Sequence, residues 1–110
     1  MANALSALWA ALRRRPAPAS SEALAVDGQG QPHQLTLYKF DACPYCQRVM
    51  HFLHDTGIPV TYKDIQKTPA LRQELISLGG KGQVPCLRIG DQMLYESADI
   101  LAYLRDFQRP

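Results

Sequence analysis

The chain has 110 residues, 12 Lys and Arg against 10 Asp and Glu, a net charge of +2 and 20% charged residues. A length of this order suits one domain, which buries roughly two thirds of the surface its unfolded form exposes and folds without a covalent staple. The near-even charge excludes the basic excess of a nucleic-acid binder, and Cys43, Cys46 and Cys86 are too few for the disulfide framework of a secreted scaffold, so a reducing, cytoplasmic setting is expected.

Residues 1 to 22 differ in composition from the rest. Leu5, Leu8, Trp9 and Leu12 recur at the spacing of one helical stripe, Arg13, Arg14 and Arg15 follow, and Pro16 to Ser21 reads as a linker. Three readings stay open. One is a loosely packed tail, because so short a helix is marginal alone. Another is a peripheral membrane contact through residues 1 to 15, with Trp9 and the leucines among the headgroups and the arginines on anionic lipid. The third is an organelle transit peptide, since no acid precedes Glu22. No run approaches the ~18 apolar residues of a membrane span, and arginines after the apolar start argue against a secretory signal.

The domain proper is expected over residues 23 to 110, where strand and helix signals alternate. Ala23 to Val26 predicts a short strand, turned by Asp27-Gly28-Gln29-Gly30 into a stronger one over Leu35 to Phe40. Pro44 suits a first helical position, Val49, Met50, Phe52 and Leu53 give that helix a buried face, and Gly57 stops it after about three turns. A strand over Ile58 to Ile65 follows, then a helix opened by Thr68-Pro69, with Leu71, Leu75 and Leu78 on one face and Gly79-Gly80 at its end. Val84 to Ile89 and Gln92 to Tyr95 form strands about a Gly90-Asp91 hairpin turn, and Ser97 is expected to cap a last helix bearing Ile100, Leu101, Leu104 and Phe107. A βαβ unit followed by a hairpin and a helix makes an α/β fold, a mixed four-stranded sheet flanked by helices.

Cys43 and Cys46 stand two residues apart at the start of the first of these helices. A zinc site needs four ligands and this is a single pair, so no metal is expected; His51 faces away from the helix start and Cys86 lies on a distant strand. A static disulfide closing so small a loop stabilises little. A working dithiol has positive support: the first N–H groups of a helix lack partners inside it, so they and the helix dipole favour a thiolate on Cys43, while Cys46, one turn in, is shielded. Cys43 is then the nucleophile and Cys46 the resolving thiol. Cys86 is expected to be a small, inert core thiol.

"ACPYCQRV" resembles the glutaredoxin active site, and Val84-Pro85 followed by a strand, a turn and a helix start is similar to the rest of that thioredoxin-fold family. The ending "LYESADILAYL" is closer to the N-terminal, glutathione-binding domain of glutathione transferases, and the likeness covers residues 35 to 107. The chain also resembles small bacterial glutaredoxin-like proteins that carry a hydrophobic N-terminal segment. The resemblance implies a thioredoxin-like (glutaredoxin) fold and a monomeric thiol-disulfide oxidoreductase with glutathione as co-substrate, acting on glutathionylated or disulfide-containing proteins through Cys43 and Cys46.

It also implies a binding set. Pro85 would be cis beside Cys43, leaving the Val84 backbone to pair with the cysteinyl part of glutathione, with Gln83 in the same turn. Glu96 would take the γ-glutamyl ammonium, and Ser97 with its helix N-terminus the carboxylate. Tyr45 would cover the thiol. Where many glutaredoxins have a lysine three residues before the nucleophile, this chain has Phe40; Lys39 is one residue off and points to the opposite face, so Lys81 is the best remaining cation for the glycine carboxylate. Two other classes are weighed. Glutathione transfer to electrophiles is less favoured, because the transferases carry a helical second domain that a chain ending at Pro110 lacks. A glutathione-ligated iron-sulfur dimer, with Cys43 as ligand, is disfavoured by the proline after Cys43.

Overall fold

The computed structural model describes residues 24 to 108, so the expectations for residues 1 to 22 lie outside the described residues. Two short strands, β1 (Ala25–Val26) and β2 (Pro32–His33), pair antiparallel as a hairpin of their own. The main sheet holds β3 (Leu35–Lys39), β4 (Thr61–Asp64), β5 (Cys86–Ile89) and β6 (Gln92–Tyr95) in the order β4-β3-β5-β6. Only β3 and β4 run parallel; β5 is antiparallel to β3, and β6 to β5. The helices are α1 (Pro44–Thr56), α2 (Pro69–Gly79) and α3 (Ser97–Leu104), the last running into a 3-10 turn, Arg105–Gln108.

All five residues of β3 are buried because both of its faces are covered. Leu35 and Leu37 pack with Val49 and Leu53 of α1 and with Ile100, Leu101 and Leu104 of α3. Tyr38, one residue out of phase, joins Leu75 of α2, Ile65 and Cys86 on the other face. This is the mixed sheet flanked by helices that the alternating signals imply. β6 has the expected bounds, and the other three strands are shorter than expected at one end or both, since Phe40, Ile58 to Val60, Ile65, Val84 and Pro85 lie in connections. Among the described residues no helix is long and apolar enough to cross a membrane.

Three expectations are corrected. The turn after Val26 does not deliver the chain straight into β3. Asp27 Oδ1 accepts from the Gln29 and Gln31 amides at 2.8 and 2.9 Å, and its other oxygen meets His33 at 2.8 Å. That side-chain-built turn folds Pro32–His33 back onto β1, and the same bonds, the Gln31 amide foremost, hold the Asp27 carboxyl below its usual range. Leu78 does not share the burial of Leu75 but stays 45% exposed. The inward side of α2 instead includes Glu74, whose carboxylate accepts from Tyr38 Oη at 2.5 Å and Lys63 Nζ at 2.8 Å. Finally, the cap of α3 is Glu96, and Ser97 is its first helical residue.

Gly79 and Gly80 close α2 for different reasons. Gly80 sits at φ 89°, a left-handed cap, and its N–H reaches the Ile76 carbonyl at 2.8 Å. Gly79 is needed for closeness: a Cβ placed there would collide with the Tyr95 hydroxyl, which donates to the Lys81 carbonyl at 3.0 Å. Gly79→Ala is therefore expected to destabilise the chain by roughly 1 to 2 kcal/mol despite alanine's better helix propensity, as read by urea denaturation.

Candidate active site

After β3 the chain turns sharply, and the Cys43 amide reaches back to the Phe40 carbonyl at 3.2 Å. Cys43 is the N-cap of α1, extended at φ −77° and ψ 117°, with Pro44 at the first helical position where its missing N–H costs nothing. Its sulfur does the work of a capping oxygen, accepting from the Cys46 amide at 3.3 Å, while its carbonyl takes the first helical bond from Gln47 at 2.9 Å. Gln47 Nε2 also holds the Asp41 carbonyl at 2.8 Å, which pins the turn to the helix.

The two thiols differ in kind. Both are free and buried, but Cys43 keeps 7% of its surface and Cys46 none. Burial, seconded by the hydrogen bond to Cys43, pushes the Cys46 thiol up to about 12. Cys86 is also fully buried and is pushed up to about 11 by burial. Neither holds a thiolate at neutral pH.

Tyr45, Gln83, Val84, Pro85, Glu96 and Ser97 line one cavity of about 410 Å³, brought together from α1, the loop before β5 and the start of α3. The Val84–Pro85 peptide is cis, and the β5 ladder begins only at Cys86, so Val84 lies outside the sheet pairing. Gln83 Nε2 meets Glu96 Oε2 at 3.3 Å. Tyr45, two residues after Cys43, is 60% exposed and lines the cavity, although Cys43 itself is not among the lining residues. A second groove of about 570 Å³ runs between α1 and α3, with Pro44, Arg48, His51 and Asp55 in its lining, and it too carries no thiol. The smaller cavity is the one that gathers residues expected to bind glutathione.

Lys81 stands apart from the lining. Its ammonium lies 4.7 Å over the Tyr95 ring. Phe40 packs with Tyr38 on the α2 face of the sheet. Lys39, on the other face, is 9% exposed, with Nζ 2.6 Å from Asp41 and 3.3 Å from Asp64. The sequence reading passed over this ion cluster, in which Lys39 and Asp64 are nearly buried and Asp41 is exposed; a lysine at the end of a largely apolar strand was the signal for it. It also missed the backbone of Glu96, whose φ of 74° is a left-handed value for a non-glycine residue at the cavity wall. Such strained residues gather at ligand clamps. Among the described residues no group of three His, Cys, Asp or Glu side chains is placed to hold a metal.

A helix opening on Cys-x-x-Cys, with a strand that directly follows a cis-proline, defines the thioredoxin-like class of fold. The family model of the glutathione S-transferase N-terminal domain matches residues 37–109, and the chain belongs to that family. Prostaglandin E synthase 2 of Danio rerio is 33% identical over 75 residues, 67% of this chain and 19% of that protein. The chain thus spans about a fifth of the length of the curated relatives it matches. A glutathione transferase homolog from Drosophila mojavensis, solved with bound glutathione, superposes with a TM-score of 0.61 at 26% identity over 70% of this chain and 36% of that one. A glutaredoxin from Archaeoglobus fulgidus, with a TM-score of 0.56 at 24% identity over 71% of this chain and 91% of its own, shares the fold.

Proposed function

We propose that the chain is a glutathione-dependent thiol-disulfide oxidoreductase, with Cys43 as nucleophile and Cys46 as resolving thiol. The observation that carries this is the sulfur of Cys43 standing as N-cap of α1, with the Cys46 amide donating to it, two residues before Tyr45, which lines a cavity with the cis Pro85 loop and Glu96. The Cys43 thiolate attacks the glutathione sulfur of a mixed disulfide, the new S–S bond forms as the old one breaks, and the freed thiolate of the substrate takes up a proton. A second glutathione then attacks the glutathione held on Cys43, giving glutathione disulfide and the Cys43 thiolate. For disulfides between protein cysteines, Cys46 supplies the second thiol.

Glutathione is seated by the groups around the cavity. The Val84 backbone takes its cysteinyl amide, Glu96 its ammonium, and Ser97 with the α3 N-terminus its γ-glutamyl carboxylate, while Gln83 steadies Glu96 and Tyr45 covers the sulfur. Lys81 is the cation for the glycine carboxylate, which requires it to turn from the Tyr95 ring. Lys81→Ala is expected to raise the glutathione concentration for half-maximal rate roughly twofold to fivefold at low salt, and less in high salt, the effect of one exposed charge. An unchanged glutathione dependence would remove Lys81 from the set.

A second reading, glutathione-dependent chemistry on an electrophile as in the transferases, is favoured by the family model and by the likeness to prostaglandin E synthase 2. One paired assay separates the two. Purified chain is given glutathione and either a glutathione mixed disulfide, followed through glutathione reductase, or an electrophilic aryl halide, followed by conjugate absorbance. Turnover of the first alone supports the oxidoreductase; turnover of the second alone overturns it.

A further inference from the structure

The two residues that follow Cys43 belong to different cavities. Tyr45 lines the smaller one, whereas Pro44, whose Cα lies about 3.8 Å from that of Cys43 across their peptide bond, opens the larger groove. From Pro44 the groove follows α1 past Arg48 and Phe52 to Asp55, a stripe at helical spacing that rises about 16 Å. An extended peptide covers that length in about five residues. The partly buried Phe52 and Leu101 of α3 give the groove an apolar floor. Its charges are not balanced. Asp55 is taken by His51, one turn earlier on α1, at 3.3 Å. Arg48 on the α1 wall and Arg105 just past the end of α3 are both exposed, and among the described residues neither has an ion pair or hydrogen bond. Two guanidinium groups, one from each wall, are thus open to carboxylates over an apolar strip that starts beside the nucleophile.

We infer that this groove seats the polypeptide around the reacting cysteine of a protein disulfide, and that it selects segments in which acidic and apolar residues flank that cysteine. This rests on the oxidoreductase reading and names its substrate class. The two cavities share no lining residue, so the segment and glutathione have separate seats, on the Pro44 and Tyr45 sides of the turn. The Cys43 thiolate attacks one sulfur of the substrate disulfide; the bond to Cys43 forms, the substrate bond breaks, and the other substrate thiolate takes up a proton. The segment now joined to Cys43 lies along α1, with its acids on Arg48 and Arg105 and its apolar side chains on Phe52 and Leu101. Cys46 loses its proton and attacks the Cys43 sulfur, the bond to the segment breaks, and the departing thiolate is protonated. Two glutathione molecules then reduce the Cys43–Cys46 disulfide and leave as glutathione disulfide. The two electrons that reduce the substrate come from glutathione.

The test compares two disulfide-linked peptide dimers as substrates of the full chain, with turnover followed through glutathione and glutathione reductase and the reaction of glutathione alone subtracted. In one peptide leucine and glutamate flank the cysteine on both sides; in the other, lysine replaces each glutamate. The acidic peptide should be favoured in kcat/KM roughly fivefold to thirtyfold at low salt, and less in high salt. Arg48→Glu and Arg105→Glu should each cut that preference by about threefold or more, and the double variant should abolish or reverse it. Arg72→Glu, on α2 across the sheet, changes the net charge equally and should keep the preference. Equal kcat/KM for both peptides in the parent, a preference that survives the double variant, or an equal fall in Arg72→Glu would overturn the groove as the docking site.

If a charge reversal does not fold by circular dichroism, Arg48→Gln and Arg105→Gln remove the charge alone and should lower the preference by about twofold each; an unchanged preference in both overturns the inference. A parent chain that reduces neither peptide overturns the oxidoreductase reading itself, which separates that failure from failure of the groove.

Discussion

Cys43→Ser is expected to abolish reduction of glutathione mixed disulfides, by roughly a thousandfold or more, whereas Cys46→Ser keeps most of it. The asymmetry comes from position. Cys43 has an amide donor on its sulfur and caps the N-terminus of α1, the position that the proposed mechanism gives to the nucleophile. Cys46 is wholly buried, its thiol is pushed up to about 12, and its own amide serves the Cys43 sulfur. External glutathione can release the mixed disulfide with one protein thiol, so losing Cys46 costs only the internal route. Reduction of protein disulfides should instead fall sharply in both variants, because that substrate leaves a mixed disulfide that Cys46 resolves. Equal loss in both variants on the glutathione substrate, measured through glutathione reductase, would sink the assignment. Conjugation of an electrophile that survives Cys43→Ser would move the chain to the transferase reading.

Much of this arrangement is legible in the sequence because local chemistry decides it. Pro44 and Gly57 bound α1 through the fixed φ of one and the left-handed cap of the other, and the alternation around Gly90-Asp91 sets the β5 and β6 hairpin. The lining of the cavity was also within reach, since Tyr45, Gln83, Val84, Pro85, Glu96 and Ser97 each lie beside a motif with its own signature. What escaped depends on partners distant in sequence. The β1 and β2 hairpin needs the Asp27 carboxylate to gather amides and a histidine that no periodicity marks. Glu74 sits inward on α2 because Tyr38 and Lys63 meet it from the sheet, which a helical stripe of leucines does not reveal. Lys39 reads as an ordinary strand-end lysine until Asp64 is found beside it from another strand.

Glu96 carries the second large effect, because stability and binding should move in opposite directions when it is changed. Its φ of 74° costs a non-glycine residue of order 1 to 2 kcal/mol, and glycine removes that strain while giving back part of the gain through its freer unfolded chain. Glu96→Gly should therefore leave the chain as stable as the parent or more stable, by up to about 1 kcal/mol in urea denaturation. The same change removes the carboxylate assigned to the glutathione ammonium and the partner of Gln83. A charge-assisted contact at a partly open site should then be lost, raising the glutathione concentration for half-maximal rate roughly fivefold to thirtyfold. Glu96→Gln separates the two causes: it keeps the backbone strain and the side-chain length but not the charge, so it should weaken glutathione binding without the gain in stability. If Glu96→Gly destabilises the chain, the unusual backbone is held by contacts worth more than its strain. If neither variant changes the glutathione dependence, Glu96 has no part in binding, and the ammonium is held elsewhere.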